Sequence, residues 1–160
     1  MKLKTSIKKP KFVSDVEIFV RPKMKAVFLS GTGDPLKTFD EKLEAIFDWL
    51  KSKNIKINNK PTFGIYYKDR DKAGVENVEW DACVPLSENY KNEKKFKIKI
   101  IPKTKVINIT LLGGYELIRK ALDYLDKVAK GNNIKYKLPL IEIYLKESKS
   151  PITQLQYEIV

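Results

Sequence analysis

The sequence predicts an α+β fold: two pseudo-twofold-related modules of the order strand, strand, helix, strand, strand, their antiparallel sheets carrying two long helices on one face beside a central cleft. Three observations carry this. The chain repeats itself: residues 19–27 (FVRPKMKAV) return as 99–107 (KIIPKTKVI), with Pro22 on Pro102 at an offset of 80. Each copy then passes a glycine turn into an amphipathic stretch, where Leu36, Phe39, Leu43, Ile46 and Leu50 fall on Tyr115, Ile118, Leu122, Leu125 and Ala129 at an offset of 79. Beyond these, Lys53-Asn54-Ile55 echoes Asn132-Asn133-Ile134, Gly64-Ile65-Tyr66-Tyr67 echoes Glu142-Ile143-Tyr144-Leu145, and Trp80-Asp81 echoes Tyr157-Glu158. Duplicated modules commonly pair about a pseudo-twofold axis, and the seam between them is a natural ligand cleft.

The elements follow in order. Residues 16–20 and 25–30 read as strands around a turn at Arg21-Pro22-Lys23, where proline ends pairing. Gly31-Thr32-Gly33-Asp34-Pro35 is a turn that starts a helix, with Asp34 as N-cap and Pro35 in the first helical position. That helix runs to Lys53 on an apolar stripe at 36, 39, 43, 46, 47 and 50, and Phe47 and Trp49 belong to the core. Residues 62–67 and 79–84 are short strands joined by a polar loop. The second copy supplies strands at 96–101 and 105–111, a helix over 114–130 stopped by Gly131-Asn132-Asn133, and strands at 138–145 and 155–160. Residues 1–15 read as a basic, mobile tail, and 16–160 as one domain with repeats at about 16–90 and 91–160.

Composition removes most classes of chemistry. A chain of 160 residues, 42% apolar and 11% aromatic, can bury a sizeable core. No apolar run reaches the roughly 18 residues that span a bilayer, and no secretory signal opens the chain, so a cytoplasmic protein without membrane contact is expected. There is no histidine, the only cysteine is Cys83, and carboxylates do not cluster at ligand spacing; no metal or other cofactor is expected, and imidazole-based triads are excluded. Gly31-Thr32-Gly33 and Gly113-Gly114 lack the further glycine and lysine of a phosphate-binding loop and read as tight turns. Cys83, inside an apolar alternation, reads as a buried inert thiol. The net charge of +12 raises the question of nucleic acid, but only Arg21, Arg70 and Arg119 are arginines. Scattered lysines make a solvated coat, and no specific nucleic-acid site is expected.

One charge is out of place. Glu142 interrupts the apolar strand Leu138-Pro139-Leu140-Ile141-Glu142-Ile143-Tyr144-Leu145. Alternation groups Ile141, Ile143 and Leu145 toward the helix, with Ile107 and Ile109, and sends Leu140, Glu142 and Tyr144 to the other face with Asn108 and Thr110. The matching face of the first copy carries Phe28, Ser30, Gly64 and Tyr66. Aromatics around a few polar groups and one carboxylate suit a small-molecule cleft; a solvated strand face is the alternative reading.

The strings Gly64-Ile65-Tyr66-Tyr67, Trp80-Asp81-Ala82-Cys83-Val84-Pro85, Leu112-Gly113-Gly114-Tyr115, Pro139-Leu140-Ile141-Glu142-Ile143-Tyr144 and Tyr157-Glu158-Ile159 resemble, in order and spacing, the GyrI-like or AraC-type effector-binding domain, built from duplicated SHS2 modules. The resemblance covers residues 16–160. It implies a multidrug-binding cleft between the repeats in which Glu142 pairs with lipophilic cations or aromatic compounds. Tyr66, Trp80, Tyr144, Tyr157 and Phe28 would supply stacking and cation–π contacts of about 0.5–2 kcal/mol each, with Asn108 on the same face; core packing is the alternative reading of each ring, and for Trp80, Phe28 and Tyr157 an equal one. With about fifteen residues before the first strand, the chain resembles stand-alone members, which include ligand binders, hydrolases of cyclopropane-bearing alkylators and gyrase-inhibiting partner proteins. For a hydrolase, the resemblance implies Glu142 with a nearby tyrosine to activate water, and Tyr144 and Tyr115 are the first candidates for that tyrosine. Binding without turnover is the leading expectation, because no second catalytic group is compelled.

Overall fold

In the computed structural model, which describes residues 1–160, the extended stretches form strands β1 (Glu17–Arg21), β2 (Met24–Thr32), β3 (Phe63–Tyr66), β4 (Glu79–Pro85), β5 (Lys97–Ile101), β6 (Thr104–Leu112), β7 (Tyr136–Lys146) and β8 (Ile152–Ile159). Helix α1 (Pro35–Ser52) follows β2, the short α2 (Arg70–Ala73) lies between β3 and β4, and α3 (Ile118–Gly131) follows β6 after a 3-10 turn at Tyr115–Leu117. No helix is long and apolar enough to cross a membrane. Asp34 caps α1 as expected, its carboxylate accepting from the Leu36 N–H at 3.0 Å, with Pro35 in the first turn. The helices stop alike: Asn54 and Asn133, the echo found in sequence, both take the left-handed φ of 55° that asparagine tolerates.

The chain packs as two compact units, residues 23–102 and residues 1–22 with 103–160. Within residues 23–102 the strands run in the order β3-β4-β2-β5, all antiparallel. Helix α1 lies on this sheet through Phe39, whose ring is 6.4 Å from Tyr66 and 5.4 Å from Trp80. Leu43, Ile46 and Leu50 continue its buried stripe, Phe47 is half-buried, and Leu36, expected on the stripe, is 70% exposed. In the other unit the order is β1-β6-β8-β7, again antiparallel.

Both connections at the repeated proline carry the chain onward instead of folding it back. Pro22-Lys23 and Pro102-Lys103 lack the glycine or asparagine of a two-residue hairpin turn. So β1 pairs with β6 and not with β2, and β5 pairs with β2 and not with β6. The packing units differ from the sequence repeats by this exchange of β1 and β5. The first fifteen residues lie along the same sheet as β1 and β6: the Leu3 N–H donates to Val16 O at 2.9 Å, Ser14 N–H to Thr110 O at 2.9 Å and Leu112 N–H to Phe12 O at 2.7 Å.

Register corrects two expectations. Directly opposed residues share a face, and Glu142 opposes Leu155, which opposes Ile109. Asn108 opposes Gln156, which opposes Ile141. Glu142 therefore sits with Ile107 and Ile109, not with Asn108 and Thr110. That face carries α3, because Tyr136 stacks on Tyr157 at 4.6 Å, opposite Leu140, while its hydroxyl donates to Asp126 of α3 at 2.5 Å. In the same way Gly64 and Tyr66 share the α1 face with Trp80, and Phe28 and Ser30 lie on the reverse. Alternation could not orient β7, since every residue from Leu140 to Tyr144 is buried and no polar contrast marks an outer face. The echo of Trp80 also moves. Trp80 opposes Gly31 and Tyr66, as Thr153 opposes Leu111 and Tyr144, so its counterpart is Thr153 and not Tyr157.

Candidate functional site

Strand β7 delivers Glu142 and Tyr144 to one face, two residues apart. The Tyr144 hydroxyl donates to Glu142 Oε1 at 3.0 Å, and only 3% of Glu142 and 6% of Tyr144 are exposed. Removing a carboxylate from water costs several kcal/mol unless donors and charge replace the solvent. Around it the face is apolar and aromatic. Leu155 lies opposite Glu142, and Leu140 and Tyr157 come next along the ladder. Tyr115, in the 3-10 turn before α3, meets Tyr144 edge-to-face with centroids 6.1 Å apart at 89°. Tyr115 is 41% exposed, so the ring against Tyr144 belongs partly to the surface.

Of the residues expected at a ligand site, Glu142, Tyr144 and Tyr157 thus share one face, with Tyr115 beside Tyr144. Asn108 is buried on the reverse, where its Oδ1 accepts from Gln156 Nε2 at 3.1 Å and Gln156 Oε1 accepts from Arg21 Nη1 at 3.3 Å. Tyr66 and Trp80 lie in the unit of residues 23–102, where Trp80 is 1% exposed and its indole N–H donates to Gly33 O at 3.1 Å. Trp80 is a core residue. Phe28 lies on the opposite face of that sheet, under Lys99. Cys83 is fully buried, and burial pushes its thiol far up, as an inert cysteine requires.

Sequence reasoning passed over Asp81. It is 4% exposed in β4, between Trp80 and Ala82, and its Oδ1 accepts from Ser30 Oγ at 2.5 Å. Its Oδ2 accepts from the Tyr67 hydroxyl at 2.5 Å and from Lys99, whose ammonium also donates to Tyr67 Oη at 2.7 Å. The signal was available: Asp81 interrupts an apolar strand as Glu142 does. Burial and the bond to Asp81 push the Tyr67 phenol up to about 12. A raised folded value means stability held below the unfolded pKa of roughly 10 and lost as pH rises toward 12. Ultraviolet titration of wild type against Tyr67→Phe is expected to show one tyrosine ionising near pH 12; a difference spectrum centred near 10 would contradict this.

The family model of the GyrI-like small molecule binding domain matches residues 14–160. The chain belongs to the GyrI-like family. No curated protein sequence matches it. Among solved structures, this GyrI-like chain is similar to the EcmrR C-terminal domain at 16% identity and a TM-score of 0.78, over 91% of this chain and 96% of that one. It spans 57% of the longer EcmrR chain seen in complex with DNA. It is also similar to SAV2435 bound to tetraphenylphosphonium (10% identity, TM-score 0.61, 92% and 94% covered) and to a hydrolase from Listeria innocua (10%, 0.68, 91% and 91%). At such identities the likeness is one of fold. Small-molecule binding is the family's described property, and this GyrI-like domain shares it in that general sense.

Proposed function

We propose that this GyrI-like protein binds lipophilic, cationic or aromatic small molecules, with Glu142 as the carboxylate that meets the ligand's charge. The single observation that carries the reading is Glu142 itself, nearly sequestered from water beside Tyr144 in an apolar strand. A delocalised cation suits it, because it is weakly hydrated and loses little on leaving water, while attraction to the carboxylate grows as the dielectric falls. The rings of Tyr144, Tyr157 and Tyr115 supply flat contact area and cation–π attraction. A ligand reaches Glu142 when the Tyr115–Tyr144 contact parts, and the partly exposed Tyr115 is the side that moves. With a net charge of +12 the long-range field repels cations, so capture is short-range and its affinity does not fall as salt is added.

Tetraphenylphosphonium is a suitable probe. At about a hundredfold over Kd it is expected to stabilise wild type by about 2.7 kcal/mol, read as a rise in Tm. Glu142→Gln keeps the shape without the charge; it is expected to fold and to lose most of that rise. An equal rise in both proteins would remove Glu142 from the reading.

The hydroxyl–carboxylate bond favours hydrolysis as a second reading, with Glu142 drawing a proton from water and Tyr144 donating to the substrate. Tyr144→Phe would then keep binding and lose product formation from a cyclopropane-bearing alkylator, whereas absence of product with wild type leaves binding alone.

A further inference from the structure

We propose that Asp81, Phe28 and Tyr67 form a second ligand site, specific for a small alkylammonium ion, which the chain's own Lys99 fills in this structure. The site does not rest on the Glu142 reading.

Its parts are those of an ammonium receptor. The Asp81 side chain is 5% exposed and supplies the charge. The Phe28 ring lies 4.2 Å from Lys99 Nζ and supplies an aromatic face, while Tyr67 meets the cation through its hydroxyl oxygen. Tyr67 Oη and Asp81 Oδ2 accept two of its N–H bonds. A primary ammonium on a slim methylene stem satisfies this set. A guanidinium, planar with five donors, or a bulky quaternary cation does not.

The box stands without Lys99. Ser30 and Tyr67 both donate to Asp81 and keep the carboxylate aimed when the ammonium leaves, and Phe28 is fixed in β2 opposite Cys83. Lys99 comes from β5, the edge strand of its sheet, and crosses β2 above Phe28 to reach Asp81 in β4. Its side chain is 26% exposed, so rotation can bring the ammonium to water, whereas Asp81 cannot follow. Burial works to lower the Lys99 pKa, but the bonds to Asp81 and Tyr67 prevail and hold it raised, so the occupant is the charged form. A buried carboxylate left without its cation is strongly uncompensated, and an external alkylammonium restores what Lys99 takes away. Preorganised acceptors then favour binding, since little remains to be ordered.

The test uses n-butylammonium, which carries the lysine stem length, titrated at matched ionic strength against sodium chloride and followed by the NMR signals of the Tyr67 ring. Wild type is expected to show weak, saturable shifts at Tyr67 and Lys99. Lys99→Ala is expected to bind about tenfold more tightly or better, and adding Asp81→Asn to it abolishes the gain. Glu142→Gln is expected to give the same Tyr67 shifts with n-butylammonium as wild type. No saturable Tyr67 shift in wild type overturns the proposal, and this arm decides alone if Lys99→Ala does not fold. Affinity in Lys99→Ala that survives Asp81→Asn, or that is lost when Glu142→Gln is added to Lys99→Ala, also overturns it.

Discussion

Trp80→Ala is expected to lower the stability of the fold by about 3–5 kcal/mol, the range for truncating a large buried aromatic. The indole is 1% exposed, packs against Phe39 of α1, and donates its N–H to Gly33 O. It also fills space that Gly31 leaves open: a Cβ at Gly31 would lie 2.4 Å from the ring. Trp80 thus joins α1, β2 and the turn that precedes α1, and its loss opens a cavity and leaves the part-buried Gly33 carbonyl with one donor fewer. Gly31→Ala attacks the same contact from the other side by overpacking, with an expected cost of about 1–3 kcal/mol. Urea denaturation checks both; a midpoint for Trp80→Ala within error of wild type would contradict this packing.

Asp81→Ala is expected to be nearly as damaging, at about 3 kcal/mol. It strands the hydroxyls of Ser30 and Tyr67 and the Lys99 ammonium, and breaking one side of a buried pair costs more than the pair contributes. Lys99 is the exit for part of this cost, since it can turn to solvent, which holds the loss near the lower end of the range. Removing both charges with a matching shape, Asp81→Asn with Lys99→Met, is expected to recover most of the stability. The Tyr67 phenol supplies an independent readout: in Asp81→Ala its ionisation falls back from about 12 toward the ordinary value. A phenol unmoved by Asp81→Ala, or a double variant no more stable than the single, would contradict the network.

Much of the architecture was legible because it was written in period and punctuation. The α1 stripe, the Asp34 cap, the paired prolines and the asparagine stops at 54 and 133 are local signals, and local geometry obeys them. Pairing was not legible at Pro22 and Pro102, where a short connection looks like a hairpin unless the missing turn residues are weighed. Facing failed in β7 for a related reason. A strand buried on both sides has no wet face, so period two says which residues alternate and not which alternate inward. That ambiguity gathered Glu142, Asn108, Phe28 and Tyr66 onto one expected surface, which register divides: Asn108 is on the reverse of its sheet from Glu142, and Phe28 on the reverse of its sheet from Tyr66. Glu142 is legible as a charge that interrupts an apolar strand. Asp81 carries the same signal, between Trp80 and Ala82 in an apolar strand.

The most direct measurement is a crystal structure of the protein with tetraphenylphosphonium. Binding at Glu142 predicts the phosphonium centre beside that carboxylate, a phenyl ring against Tyr144, and Tyr115 displaced from its edge-on contact. A ligand seated elsewhere, with Tyr144 still bonded to Glu142 at about 3.0 Å and Tyr115 unmoved, would contradict it.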